Sequence, residues 1–236
     1  MAIKLTCAYF LLMLLSACSN TEKLIATNGY GNSPTSDYKN ELKVPFETED
    51  LIKIDTHIYD EPAYGVGIKY DHKLLSNDNI SVFVYPVNSM FWDDHVETTT
   101  REMATVLNDM NLAVKNGIYR EATSISSTKY QVEVNQLLYV GRKSEFLIKD
   151  RYDNQRYSVA YIFIAEDKFV KFRITLESEL LTSFNPDSIV NSILPKITVP
   201  KESAYMQSKR EAHMKAMTLE FIEYLKQSSE QDTRKN

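Results

Sequence analysis

One alternating stretch constrains the fold of this chain more than any other feature. From Val170 to Leu176 every second residue is apolar, and the residues between them are Lys171, Arg173 and Thr175. A period of two with one apolar side predicts an antiparallel strand that buries one face. The segment from Tyr157 to Ala165 is the strongest strand candidate, and the tight turn Glu166-Asp167-Lys168 joins the two.

More strands are predicted on both sides of this hairpin. Runs of β-branched and aromatic residues indicate short early strands at Leu51–Ile54, Val66–Tyr70 and Ile80–Pro86. A meander of four strands is predicted to lead up to Leu176. Its two earlier strands are Ile125–Val134 and a strand that leads from Gln136–Val140 across Gly141-Arg142-Lys143 to Glu145–Ile148.

Three helices are predicted between and after the strands. The first runs from Glu97 to Lys115, with one of the three threonines that follow Glu97 as its cap and with Asn116-Gly117 as its stop. A short helix opens at Asn185-Pro186, and a long one covers 201–227. Apolar residues repeat at helical spacing in each of them.

This order of elements predicts the α+β class. We expect a mainly antiparallel sheet with helices packed on it and a long C-terminal helix. The order resembles that of the small αβα-sandwich domains of PsbP-like proteins, and this resemblance implies helices on both faces of the sheet.

The N-terminus has the pattern of an export signal. Lys4 is followed by an apolar run of about 11 residues, whereas a bilayer crossing needs roughly 20. The sequence Leu15-Ser16-Ala17-Cys18 resembles the lipobox of bacterial lipoproteins. The resemblance implies that the mature chain begins at Cys18, which carries a diacylglycerol on sulfur and an acyl chain on its amine. Ser19 in place of Asp resembles sorting to the outer membrane in enteric-type bacteria. In a host without an outer membrane, the anchor would lie in the outer face of the plasma membrane.

Five segments follow from these features. Ser, Thr, Asn, Gly and Pro dominate the stretch after Cys18, and such a stretch buries too little apolar surface to fold. The predicted segments are a removed signal peptide (1–17), a lipidated N-terminus with a flexible tether (18–43), an α+β domain (44–200), a C-terminal helix packed on the domain (201–228) and a polar tail (229–236).

Composition excludes several classes of function. The chain carries 27 Lys and Arg against 32 Asp and Glu, for a formal net charge of −5. Nucleic-acid binding needs concentrated positive charge, so we expect no nucleic-acid partner. The two cysteines are Cys7, which leaves with the signal peptide, and Cys18, which carries lipid. The domain therefore has no disulfide, no thiolate metal site and no cysteine nucleophile.

No catalytic, metal or cofactor signature stands out in the sequence. Asp71-His72 and the stretch Trp92-Asp93-Asp94-His95 place acids beside imidazoles, which could converge on a metal, but we favour solvated loop groups. The chain has no HExxH, no GxSxG and no phosphate-binding glycine loop. We therefore predict no catalytic residue, no metal and no cofactor.

Two groups of apolar residues are candidates for binding a partner. Phe91 and Trp92 lie in a loop, where aromatic side chains bind proteins or sugars, but the preferred interpretation is that they plug the end of the sheet before the helix. Met214, Met217 and Phe221 form a stripe on the C-terminal helix. This stripe either docks on the sheet or binds a partner helix-in-groove.

These features lead to one preferred hypothesis and two alternatives. We expect a membrane-anchored lipoprotein of the cell envelope, in the bacterial outer membrane, that acts as a non-enzymatic binding or assembly component for another envelope protein. The first alternative is a cell-surface hydrolase or carbohydrate-acting enzyme. The second is a structural part of a secretion or envelope assembly.

The lipobox prediction has a direct test. Cys18→Ala removes the sulfur to which the diacylglycerol would be attached, so we expect the variant to lose its membrane association on fractionation. A Cys18→Ala protein that stays with the membranes as the wild type does would contradict the predicted anchor.

Overall fold

A computed structural model describes residues 41–74, 79–89, 92, 94–178 and 184–233, with side chains up to residue 227. The strands are β1 Leu51–Ile58, β2 Val66–His72, β3 Asn79–Pro86, β4 Tyr119–Val134, β5 Leu137–Asp150, β6 Gln155–Ala165 and β7 Lys168–Glu177. The helices are α1 His95–Lys115, α2 Pro186–Ile193 and α3 Ala204–Thr233, with 3-10 turns at Pro62–Tyr64 and Leu194–Lys196.

All seven strands form one antiparallel sheet in the order β1-β2-β3-β7-β6-β5-β4. Two meanders, β1 to β3 and β4 to β7, meet where β3 pairs with β7 at the centre. The sheet and its helices confirm the predicted α+β class. β6 and β7, the predicted hairpin, pair from Arg156 opposite Glu177 to Ala165 opposite Lys168.

β5 runs through Gly141-Arg142-Lys143 without a break. Gly141 pairs with Tyr130 of β4 on one side and with Phe163 of β6 on the other. A Cβ atom at this position would lie 2.2 Å from the carbonyl oxygen of Ile162. Gly141 therefore permits a close approach of two strands, which is a second use of glycine that resembles a turn signal in sequence.

Both faces of the central strands are buried. Val170, Phe172 and Ile174 lie in the larger core, which α2 covers with Ile189 and Val190. The expectation that the other side of β7 faces water was wrong, because α1 covers it through Met103 and Met110 in a second core. Even Lys171 on that side is 7% exposed. A two-residue period reports which residues share a face, but it does not report whether a helix covers the polar face.

The ends of α1 have defined caps. The cap is Asp94, whose carboxylate accepts a hydrogen bond from the Glu97 backbone N–H at 2.9 Å, so the helix begins before the threonines that the sequence suggested. At the other end Gly117 has the left-handed φ of 71°, and this agrees with the predicted stop.

Only the first turns of α3 pack on the domain. Met206 and Arg210 are buried, whereas all side chains from 215 to 227 are exposed. The expected packing of the whole segment 201–228 is therefore limited to its start, and the helix continues to Thr233, into the predicted tail. No helix in the described part of the chain has both the length and the apolar character that a bilayer crossing requires.

Gly141→Ala tests the close approach of β5 and β6. We expect a loss of about 2 kcal/mol or more in the free energy of unfolding, because the methyl group would overlap a backbone oxygen. Gly117→Ala is the matched control, since nothing lies within 4 Å of its Cβ position and only the positive φ is strained, at a cost of about 1 kcal/mol. Urea unfolding measures both. Equal losses in the two variants would contradict this account.

Candidate functional site

A buried lysine holds the turn between β6 and β7. Lys168 is fully buried, and its ammonium donates to the Asp167 carboxylate and to the carbonyl oxygen of Pro200, each at 2.7 Å. Pro200 lies just before α3, so this lysine ties the centre of the sheet to the start of the C-terminal helix. A buried charge of this kind is tolerated only when it is paired and hydrogen-bonded.

Arg210 makes the second link between α3 and the domain. Its Nη1 donates to the carbonyl oxygen of Val87 at 2.9 Å, and its Nη2 donates to the Glu202 carboxylate at 2.5 Å. The guanidinium lies 5.3 Å from the centre of the Trp92 ring. We call Asp167, Lys168, Glu202 and Arg210 the root cluster, because they fix the root of α3 on the domain.

The two carboxyl groups of the root cluster are close enough to interact. Asp167 Oδ2 and Glu202 Oε1 are buried and have no donor among the described residues, yet the two side chains lie within hydrogen-bonding reach of one another. One proton between them satisfies both oxygens. Burial, together with the negative charge of Asp167 and despite Arg210, raises the pKa of Glu202 to about 7.

An open cleft of about 380 Å³ lies over the root cluster. Trp92, Lys201 and Gln207 line it together with members of the cluster. The unpaired carboxyl oxygens themselves are closed off from solvent, so the cleft offers an aromatic ring and mixed charges at its surface.

Beyond its root, α3 presents uncovered apolar side chains. Residues spaced three and four apart continue the face that begins at Met206 and Arg210. We call Met214, Met217, Phe221 and Tyr224 the apolar end of α3. Met217, Phe221 and Tyr224 are 55%, 60% and 50% exposed. Leu219 and Ile222 are exposed on other sides of the same turns, so apolar surface extends over much of the circumference.

The structure separates the predicted site residues. Trp92 is half-buried against the core beneath α1 on one side and contacts Arg210 on the other, so it plugs the sheet end and also borders the cleft. Phe221 lies eleven residues beyond Arg210, about 16 Å along the helix axis. Phe91 and Cys18 lie outside the described residues.

Sequence reasoning missed the root cluster, although one signal was present. Lys168 lies two residues before Val170 and four before Phe172. The alternation of β7 therefore places Lys168 on the same buried face as these two residues. A lysine at an inward position requires a partner, and its neighbour Asp167 is the nearest acid in the sequence. Nothing comparable in the sequence marks Glu202 or Arg210.

A second group of buried charges lies between α1 and the sheet. Lys171 lies 3.9 Å from Glu102, which accepts a hydrogen bond from Tyr85 at 2.5 Å. Arg173 donates to the Tyr119 hydroxyl at 2.6 Å. The cleft beside them holds about 40 Å³, room for water rather than for a substrate. In the described residues, no group of three or more His, Cys, Asp or Glu could hold a metal ion.

Comparison with known proteins gives structural similarity without sequence similarity. No protein-family model and no curated protein sequence matches this chain. Among solved structures, the fold is similar to the solution structure of cyanobacterial PsbP (CyanoP) from Synechocystis sp. PCC 6803, with a TM-score of 0.42 and 17% identity. The match covers 75% of this chain and 99% of that protein.

Lys168→Met tests the root cluster. The substitution leaves Asp167 buried without its cation, so we expect a loss of about 3 kcal/mol in the free energy of unfolding, and we expect Asp167→Leu in the same chain to restore part of it. Lys209→Met, on the exposed side of α3, is the control and should change stability by less than about 0.5 kcal/mol. Urea unfolding would contradict the account if the two lysine variants were equally stable.

Proposed function

We propose that the protein is a lipid-anchored, non-enzymatic component of the bacterial cell envelope that binds another envelope protein through the apolar end of α3. The observation that carries the proposal is the exposure of this end, because the same helix face is buried at Met206 and stands uncovered from Met217 onward. An exposed apolar surface of this kind marks an interaction site.

The composition of the apolar end fits a protein partner. Methionine and aromatic residues are enriched in protein interfaces, and here Met217, Phe221 and Tyr224 are all exposed. Leu219 and Ile222 add apolar surface on other sides of the helix. The partner surface that fits best is therefore an apolar groove that encloses the helix, rather than a flat surface.

The charges beside the apolar end argue against other partners. Lys215 and Lys226 are balanced by Glu220 and Glu223. A helix that adsorbs to anionic lipid carries an excess of lysine and arginine on its polar face, and a nucleic-acid site requires a basic patch. A protein groove requires neither.

The proposed location rests on the N-terminal sequence. The resemblance of Leu15-Ser16-Ala17-Cys18 to a lipobox supports lipidation of Cys18, and Ser19 supports the outer membrane as the address. The tether predicted for 18–43 would hold the domain away from the lipid surface, within reach of other envelope proteins.

The alternative of a carbohydrate-acting enzyme gains no support from the root cluster. Its two carboxyl groups lie within hydrogen-bonding reach of each other, whereas glycosidases keep their pair roughly 5 to 9 Å apart. Asp167 Oδ2 and Glu202 Oε1 are also closed to substrate.

Phe221→Ser tests the proposed binding surface. A photo-cross-linking residue at Thr218, next to the apolar end, should form an adduct with a different protein in native membranes. Loss of a buried aromatic anchor costs roughly 2 kcal/mol, so Phe221→Ser should weaken binding about thirtyfold and remove most of the adduct.

Tyr152→Ser is the matched control, because Tyr152 is an exposed aromatic residue on a hairpin turn away from α3. It should leave the adduct unchanged. An adduct with twice the mass of the chain, which would indicate a second copy, or an adduct with lipid alone would overturn the proposal. An adduct that survives Phe221→Ser would do the same.

A further inference from the structure

The root cluster has a property that its role in holding α3 does not require. The ammonium of Lys168 already binds Asp167 Oδ1, and the guanidinium of Arg210 already binds Glu202 Oε2. The other two carboxyl oxygens, Asp167 Oδ2 and Glu202 Oε1, are buried and have no hydrogen-bond partner among the described residues. With both carboxyl groups ionised, these two oxygens would be buried acceptors without a donor, which is costly.

We propose that the Asp167–Glu202 pair is a proton-operated latch: a shared proton keeps the root of α3 docked on the domain, and loss of that proton loosens it. The consequence for binding rests on the proposed function, because the root sets the direction in which the apolar end leaves the domain. The latch itself is a property of the protein alone.

The charged groups around the pair come from two elements. The β6–β7 turn and β7 supply Asp167 and Lys168, and α3 supplies Arg210. Lys201 and Glu166 lie at the rim of the cleft, where water screens them. Both buried cations are hydrogen-bonded to the outer carboxyl oxygens and to backbone carbonyls.

The sign of the effect follows from linkage. The pKa of Glu202 is raised to about 7 in the docked state, whereas the pKa of a free glutamate is 4.5. The docked state therefore holds the proton more tightly, and its advantage is complete below pH 4.5 and is lost as the pH rises toward 7. The equilibrium constant for opening of the root should rise on the order of a hundredfold across this range.

Trp92 provides a built-in probe of the latch. It is the only tryptophan in the chain, and its ring contacts Arg210. We would record its emission for the full mature protein in detergent from pH 5 to 9, and measure hydrogen exchange of the backbone of residues 204–214 in the same samples, corrected for the intrinsic exchange rate. The wild type should show one transition near pH 7, with faster exchange above it.

Glu202→Gln is the decisive variant. Its amide N–H donates permanently to Asp167 Oδ2, and its carbonyl oxygen still accepts from Arg210, so it imitates the protonated pair. We expect it to keep the low-pH emission and the slow exchange at every pH. Asp167→Asn is a second variant of the same design, with the same expected result, and serves if Glu202→Gln does not fold.

Two controls separate the pair from other titrating groups. Glu211→Gln removes an exposed carboxylate from the same helix and should keep the transition. Histidine ordinarily titrates in this range, and His213 of the same helix packs against Tyr64, so His213→Gln should also keep it. The proposal is overturned if the wild type shows no transition, if the transition persists in the folded pair variant, or if either control abolishes it. None of these results depends on a partner, so failure of the latch and failure of the proposed function are separate outcomes.

Discussion

The pairing of β6 with β7 is the constraint on which the rest of the structure depends. These strands lie inside the sheet, and helices cover both of their faces, so their side chains contribute to both cores. Their register also fixes the turn between them, with Ala165 opposite Lys168. The position of this turn determines where the buried ammonium of Lys168 lies. A lysine that points inward requires hydrogen-bond partners at that place.

From this turn the constraint reaches α3. Pro200 and Asp167 bind the ammonium, and Arg210 joins Glu202 to the end of β3 through Val87, so polar bonds hold the root of the helix. Beyond the root, His213 still packs against Tyr64, and the side chains from 215 to 227 are exposed. Most helical stability in proteins comes from packing of an apolar face, and this helix keeps Met217, Phe221 and Tyr224 of such a face exposed. The proposed function follows from that contrast between a fixed root and an uncovered end.

Much of the fold could be predicted from local sequence, and the site could not. The alternation of β7 and the glycine stop of α1 depend only on neighbouring residues, so a short stretch of sequence is enough to predict them. A close approach of strands and a turn use glycine for different reasons, and at Gly141 only the pairing partner Phe163 distinguishes them. The root cluster joins residues 167 and 210, and no short-range pattern connects them. The exposure of Phe221 likewise depends on where the domain surface ends.

The central claim is that the apolar end of α3 is covered by another protein in the cell envelope. Hydrogen exchange of residues 214–225 in native membranes, compared with the purified protein in detergent, tests it most directly. The account predicts strong protection of this segment in membranes and its loss on purification, with the sheet equally protected in both. Equal exchange of the segment in the two samples would contradict the claim.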